Sequence, residues 1–123
     1  MLVKVLLLGI LTATSYRPVP AQTKPECTSR DHCRTANNEN VSELGVAVSQ
    51  DFLDSGRLHY GDCLYIDGVG FRVVNDCLNR RYKESVDVFV YTLKEERAFG
   101  VRHLKVWLIR SMQPVKTKIA GEE

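Results

Sequence analysis

The alternation of apolar and polar residues along the chain predicts short β-strands separated by turns. Val86, Val88 and Val90 fall on one face of an extended segment, and Asp87 lies on the other. The run Gly45–Val48 is apolar throughout, as expected for a buried strand. A final strand is predicted over residues 103–109, and an earlier β-prone segment covers residues 12–16.

Turn and capping signals divide these strands and add little helix. Gly68 and Gly70 supply the positive φ angles of a tight turn, which predicts a β-hairpin between residues 61–66 and 71–74. Thr92-Leu93-Lys94-Glu95 is a capping box that predicts a short helix ending near Gly100, and Ser49 is a candidate cap for an earlier helical turn. This pattern predicts a mainly β fold, a small barrel or sandwich with one or two short helices.

The amino terminus allows two interpretations. Residues 1–11 carry a single early lysine, Lys4, followed by a short apolar run, which fits a minimal secretory signal removed near Ala13 or Ala21. The same residues also fit a first buried strand continuing into Tyr16. The run is too short to span a bilayer as a helix.

Composition indicates one ordinary globular domain. The chain has 123 residues, 44% of them apolar and 26% charged, which argues against disorder and against a membrane protein. A net charge of +2 is too small to predict nucleic-acid binding. We assign the domain to residues 12–110 and predict a loose tail over residues 111–123. No pattern for a metal or cofactor is present in the sequence.

Four cysteines and a long loop form a second feature. Cys27, Cys33, Cys63 and Cys77 allow three disulfide pairings, and their spacing does not match a zinc finger or ribbon. In an exported protein Cys27 and Cys33 are the easiest pair to close, and they would staple the loop over residues 17–40; in a cytosolic protein all four would be free thiols.

Two aspartates on strand-like segments are the strongest indication of chemistry. Asp76 and Asp87 flank a polar, basic connection, although a charged carboxylate is costly on a half-buried strand. Each could instead bind loop amides, as aspartates at strand ends do. Asp87, beside Phe89 and Tyr91 on a valine-rich strand, is the stronger functional candidate.

An ordered set of motifs resembles the three-aspartate (3D) domain family, which comprises double-psi β-barrel domains of cell-wall lytic proteins. The resemblance runs from about Thr12 to Ile109 and rests on these segments: 12–16, 45–48, 61–70, 75–76, 86–89 and 98–102. It implies a six-stranded double-psi β-barrel. It also implies an exported bacterial protein, located in the periplasm or cell envelope, that acts on the glycan strands of peptidoglycan.

The resemblance further implies roles for particular residues. In relatives similar to membrane-bound lytic transglycosylases, the aspartate matching Asp87 is the catalytic acid, and the one matching Asp76 helps to form the acidic site. The family's first aspartate is replaced by Ser49, with Asp51 two places later. We predict that five residues around the aspartates contact the substrate: Tyr16, Thr35, Asn75, Arg81 and Lys83.

The chemistry suits a single acid. A lytic transglycosylase can use one carboxyl group because the sugar's own 6-hydroxyl attacks the anomeric carbon, whereas hydrolytic glycosidases use two carboxylates. Burial and the like charge of Asp76 should raise the pKa of Asp87, while Arg81 or Lys83 could oppose this by pairing with an aspartate. The alternative is a non-catalytic barrel that binds wall glycan or a partner. In larger relatives a second domain completes the substrate groove, so a further domain or protein could do so here.

Overall fold

A computed structural model describes residues 2–17 and 44–112, which form a closed barrel of six strands with two short helices. This confirms the predicted mainly β architecture. The two helices are α1 (Gln50–Asp54) and α2 (Leu93–Phe99). The strands are β1 (Leu2–Tyr16), β2 (Gly45–Val48), β3 (Cys63–Ile66), β4 (Gly70–Cys77), β5 (Ser85–Phe89) and β6 (Arg102–Met112).

The barrel mixes parallel and antiparallel pairing. The strand order is β1-β5-β2-β4-β3-β6, and β6 closes the barrel against β1. The pairs β1–β5 and β2–β4 are parallel, and the other four pairs are antiparallel. Because strands distant in sequence become neighbours, the barrel brings side chains from both halves of the chain onto one surface.

Alternating strand positions fill the barrel interior. Val86 and Val88 point inward as their spacing predicts, and Phe52 of α1 joins them. The buried cluster contains these side chains: Leu11, Ala13, Val46, Val48, Phe52, Leu58, Leu64, Ile66, Val74, Val86, Val88, Val106 and Leu108. Residues between them along the strands therefore face outward.

The predicted turns and caps are confirmed, with one exception. Gly68 and Gly70 adopt φ angles of 76° and 109° in the β3–β4 hairpin. Thr92 and Glu95 form the complete capping box, and Gly100 ends α2 with a φ of 60°. Ser49 occupies the N-cap position of α1, but its hydroxyl makes no capping bond and instead accepts a hydrogen bond from the Ser85 amide at 3.0 Å.

The described residues reach both predicted boundaries of the domain, at residues 11–12 and 110–111. Residues 2–16 form one strand, β1; removal of a leader is an event in the cell, so that alternative stays a prediction. The tail was expected from residue 111, but β6 continues to Met112. Residues 113–123, and the loop beyond Arg17 up to residue 43, lie outside the described residues. Within the described ranges, neither helix has the length and apolar character needed to cross a membrane.

Candidate functional site

Four strands bring Asp76 and Asp87 onto one outer surface of the barrel. Thr14 of β1 is opposite Asp87 of β5, and Asp87 is opposite Ala47 of β2. Ala47 is in turn opposite Asp76 of β4. The lateral row is therefore Thr14, Asp87, Ala47, Asp76, with the small, buried side chain of Ala47 between the two aspartates.

A β-bulge in β4 gives Asp76 its outward position. Val46 pairs with Val74, but the next residue of β2, Ala47, pairs with Asp76 because the register shifts at this point. Strict alternation after the buried Val74 would have placed Asn75 outward and Asp76 inward. The bulge inserts Asn75 as the extra residue and turns Asp76 to the same surface as Asp87.

Asn75 itself is buried beneath this surface, with 3% of its area exposed. Its side-chain amide lies against Gly45, where an added Cβ would sit 2.8 Å from Oδ1 and 2.9 Å from Cγ of Asn75. Only glycine at position 45 leaves room for that amide. The structure therefore assigns Asn75 a packing contact, and substrate contact by Asn75 stays a prediction.

Asp87 is half-buried and hydrogen-bonded to one strand neighbour. The Thr14 hydroxyl donates to Asp87 Oδ1 at 2.9 Å. Burial raises the pKa of Asp87 to about 6, the Thr14 hydrogen bond opposes the rise, and the negative charges of Asp76 and Glu96 add to it. Near neutral pH this carboxyl group is thus poised between its protonated and ionised forms.

An aromatic cluster lies beside Asp87, as the strand pattern predicts. Phe89 meets Tyr16 edge-on with ring centroids 5.6 Å apart, and meets Tyr91 at 5.0 Å. Ala47 and Leu78 complete this small cluster on the outer face. It supplies the apolar surroundings that disfavour an ionised Asp87.

Tyr16 lies near both carboxyl groups, whose charges act on its hydroxyl. Only 5% of this residue is exposed, and its buried hydroxyl has no hydrogen-bond partner among the described residues. Burial first, and then the charges of Asp76 and Asp87, raise the pKa of Tyr16 well above its ordinary range. Tyr16 is therefore a neutral phenol held close to both aspartates, and its contact with substrate stays a prediction.

Asp76 is hydrogen-bonded to the amide of the next residue, Cys77, and lies near Tyr60. Its Oδ1 accepts a hydrogen bond from the Cys77 amide at 2.8 Å. Burial, a hydrogen bond with the Cys77 side chain and the charges of Cys77 and Asp76 raise the pKa of Tyr60 above its usual range. Tyr60 is 39% exposed, so it forms an accessible rim next to Asp76.

Helix α2 adds a third carboxylate to the surroundings of Asp87. Glu96 contacts Arg17 at the end of β1, with Oε1 and Nε 3.3 Å apart. Its charge contributes to the raised pKa of Asp87. The capping box that starts α2 therefore helps to set the electrostatics of the site.

Asp51 has a different role from the two outward aspartates. Its Oδ2 accepts a hydrogen bond from the Glu84 amide at 3.1 Å. Burial opposes ionisation, but hydrogen bonds from Ser49 and the Glu84 amide and the charge of Lys83 outweigh it and lower the pKa of Asp51. Asp51 is thus an ionised anchor for the loop before β5.

The predicted basic residues lie on that loop. Arg81 stacks on the Tyr82 ring, 4.8 Å from its centroid, and donates to the Tyr82 hydroxyl at 2.8 Å. Lys83 is exposed and acts electrostatically on Asp51. The charges that act on the Asp87 pKa come from Asp76 and Glu96, so neither basic residue holds Asp87 in its ionised form.

The structure describes two of the four cysteines but not the predicted substrate contact Thr35. Cys63 and Cys77 are free thiols. The proposed pair Cys27 and Cys33, and the predicted substrate contact Thr35, lie outside the described residues.

Sequence reasoning missed three residues around the site: Thr14, Tyr60 and Glu96. Thr14 could have been found, because Thr12, Thr14 and Tyr16 alternate on one face of a predicted strand. Tyr60 and Glu96 come from other elements and reach the site through the tertiary fold. No local pattern marks them.

Neither models of known protein families nor curated protein sequences match this chain.

Proposed function

We propose that this protein is a peptidoglycan-cleaving domain of the lytic transglycosylase type, acting on the β-1,4 bond between N-acetylmuramic acid and N-acetylglucosamine. Asp87 is the single acid and base. The observation that carries the proposal is the half-buried Asp87 carboxyl group on the outer side of β5, whose pKa is raised to about 6.

The reaction would proceed in two proton transfers through Asp87. The protonated carboxyl group donates its proton to the glycosidic oxygen as the bond to the anomeric carbon breaks. The resulting carboxylate then accepts the proton of the sugar's 6-hydroxyl as that oxygen bonds to the anomeric carbon. The product is a 1,6-anhydro sugar, and Asp87 returns to its protonated form without water entering the reaction.

The neighbours of Asp87 fit this sequence. The Thr14 hydrogen bond fixes the orientation of the carboxyl group and stabilises the carboxylate that exists between the two transfers. Asp76 would stabilise the positive charge that develops on the sugar ring. Tyr16, Arg81 and Lys83, with Thr35 on the loop, are our proposed contacts to the glycan and its peptide stem.

We further propose that the barrel is a 3D domain with double-psi topology in an exported protein of the bacterial envelope. The closed six-stranded barrel with two parallel and four antiparallel pairs is compatible with that fold. A second domain or protein would supply the opposite wall of a glycan groove, because Asp76 and Asp87 lie on the outside of the barrel.

The second candidate is a barrel that binds wall glycan without cleaving it. It is favoured by the hydrogen bond from the Cys77 amide to Asp76, an anchoring contact of the kind that aspartates make in purely structural roles. In that case Asp76 would hold β4, and the basic loop would account for binding.

Incubating the purified protein with peptidoglycan sacculi, followed by mass spectrometry of the released fragments, separates the two. We expect 1,6-anhydro-muropeptides from the wild type and none from Asp87→Asn. Asp67→Asn, which changes an exposed aspartate in the β3–β4 turn, is the matched control and should retain activity. If neither the wild type nor any variant releases product, while the wild type and Asp87→Asn both sediment with sacculi, the binding candidate replaces the enzyme.

A further inference from the structure

The turn that leads into β3 places Tyr60 beyond Asp76 at the end of the aspartate row. Two backbone hydrogen bonds, of 2.8 and 2.9 Å, join residues 61–62 to Val74 of β4. These bonds continue the β3–β4 pairing along the edge of β4 that faces away from β2. Because Asp87 lies on the far side of β2, Asp76 stands between Asp87 and Tyr60.

This turn is held in place from several sides. The Asp62 carboxylate accepts a hydrogen bond from the His59 amide at 2.8 Å and another from Arg110 of β6 at 2.9 Å. Leu58, just before the turn, is fully buried in the core. The position of Tyr60 is therefore fixed before any ligand binds, which lowers the cost of ordering it in a complex.

The Tyr60 side chain is anchored but accessible. Its hydroxyl is hydrogen-bonded with the Cys77 side chain on β4, and the charge of Asp76 acts on it. The residue is nevertheless 39% exposed. An aromatic ring next to carboxylate oxygens is a combination that suits a sugar, whose C–H face packs on the ring while its hydroxyl groups donate to the carboxylate.

The length of the row suits an oligosaccharide. Neighbouring strands lie about 4.8 Å apart, so the three steps from β5 through β2 and β4 to the turn cover roughly 14 Å of barrel surface. This distance is longer than a single sugar ring. A glycan whose scissile bond lies at Asp87 can therefore extend past Asp76 and reach Tyr60.

We propose that Tyr60 binds a sugar ring of the glycan strand on the Asp76 side of the scissile bond. This inference rests on the proposed function and adds a subsite to it. The contact is made away from the reacting bond and exists both before and during the reaction. Its loss should therefore raise KM more than it lowers kcat.

The test measures binding of soluble, peptide-free peptidoglycan glycan strands by isothermal titration calorimetry, with the full chain carrying Asp87→Asn so that no strand is cleaved. Adding Tyr60→Ala should raise the Kd about tenfold, whereas Tyr60→Phe, which keeps the ring, should change it by less than about twofold. Phe71→Ala is the matched control, because Phe71 is 59% exposed at the other end of β4, and it should leave the Kd unchanged.

A second measurement observes the contact without truncating the side chain. The NMR signals of the Tyr60 ring protons, assigned by comparison with Tyr60→Phe, should shift when glycan strands are added to the Asp87→Asn protein. Circular dichroism should show each variant folded.

The outcomes separate this subsite from the proposed enzyme. A Kd that Tyr60→Ala leaves unchanged overturns the subsite, as does an equal loss in Tyr60→Phe or an Asp87→Asn protein that binds no strands. Binding that depends on Tyr60 without release of 1,6-anhydro product by the wild type removes the enzyme and keeps the subsite. Product release with binding that is independent of Tyr60 removes the subsite alone.

Discussion

At the scale of single residues, Asp87 is placed where its charge costs stability. Its folded pKa of about 6 lies above the ordinary value of 3.8. The folded protein therefore binds this proton more tightly than the unfolded chain does. The resulting stabilisation is fully present below about pH 4 and is lost as pH rises through about 6, by up to about 3 kcal/mol.

Replacing Asp87 with asparagine should therefore stabilise the protein at neutral pH. We expect Asp87→Asn to raise the free energy of unfolding at pH 7.5 by about 1–3 kcal/mol, with the difference vanishing near pH 4. Urea unfolding at both pH values measures this. Equal stability of the two proteins at pH 7.5 would show that Asp87 ionises without cost.

Thr14 should tune the acidity of Asp87. Thr14→Val keeps the shape of the side chain but removes the donor to Oδ1, so the pKa of Asp87 should rise further above about 6 and the acid should become about tenfold weaker. Carbon-13 NMR titration of the carboxyl group measures this. Thr12→Val, on the same strand face and opposite Ser85, is the control and should leave the titration unchanged.

The sequence carried enough information to select Asp87, because an aspartate between inward-facing valines must point outward. The sequence did not indicate which groups surround Asp87 in the fold. The bond from Thr14 and the charge of Glu96 depend on which strands become neighbours and on where α2 packs. These pairings are decided by contacts between distant parts of the chain.

At the scale of elements, the bulge in β4 decides whether the site has one outward aspartate or two. Asn75 is accommodated only because Gly45 has no side chain. We expect Gly45→Ala to cost about 1–3 kcal/mol of unfolding free energy, since the new methyl group would overlap the Asn75 amide.

A double-mutant cycle tests that account of the bulge. Asn75→Ala in the Gly45→Ala background should recover part of the loss, because the two side chains no longer compete for the same space. Strictly additive losses in the double variant would mean that the bulge does not depend on this contact.

Elements with local signals were predictable from sequence. The β3–β4 hairpin and the α2 capping box follow from glycines and from a Thr-x-x-Glu spacing. The bulge was not predictable, because residues 73–76 contain no glycine and read as an ordinary strand end. Ser49 is the N-cap residue of α1, as predicted, but its hydroxyl binds the amide of Ser85, which is 36 residues away and is not indicated by any local pattern.

At the scale of the whole molecule, β1 closes the barrel and carries part of the site. Leu11 and Ala13 are in the core, and Thr14 binds Asp87. We expect a variant lacking residues 1–13 to lose cooperative thermal unfolding, because the β1–β6 pairing is removed with these core side chains. Circular dichroism during heating measures this.

A shorter deletion is the control for that experiment. A variant lacking residues 1–5 loses only the exposed end of the strand and should unfold within a few degrees of the wild type. If both deletion variants unfold cooperatively within a few degrees of the wild type, residues 1–13 are dispensable for the fold. Amino-terminal sequencing of protein recovered from the cell envelope would show whether a leader is removed.

The strand order could not be obtained from the pattern of residues alone. Alternation predicts how many strands exist and which faces are apolar, but β1 lies next to β5 through pairs such as Thr14 and Asp87, which are 73 residues apart. The resemblance to the 3D family implied a six-stranded barrel, and the closed barrel of the structure agrees with that number.

The most direct test of the central proposal is the pH dependence of 1,6-anhydro-muropeptide release from peptidoglycan. A single acid with a pKa of about 6 predicts that the rate falls along one descending limb as pH rises through about 6. Thr14→Val should move that limb to higher pH. A rate that rises through this range, or product released equally well by Asp87→Asn, would contradict Asp87 as the proton donor.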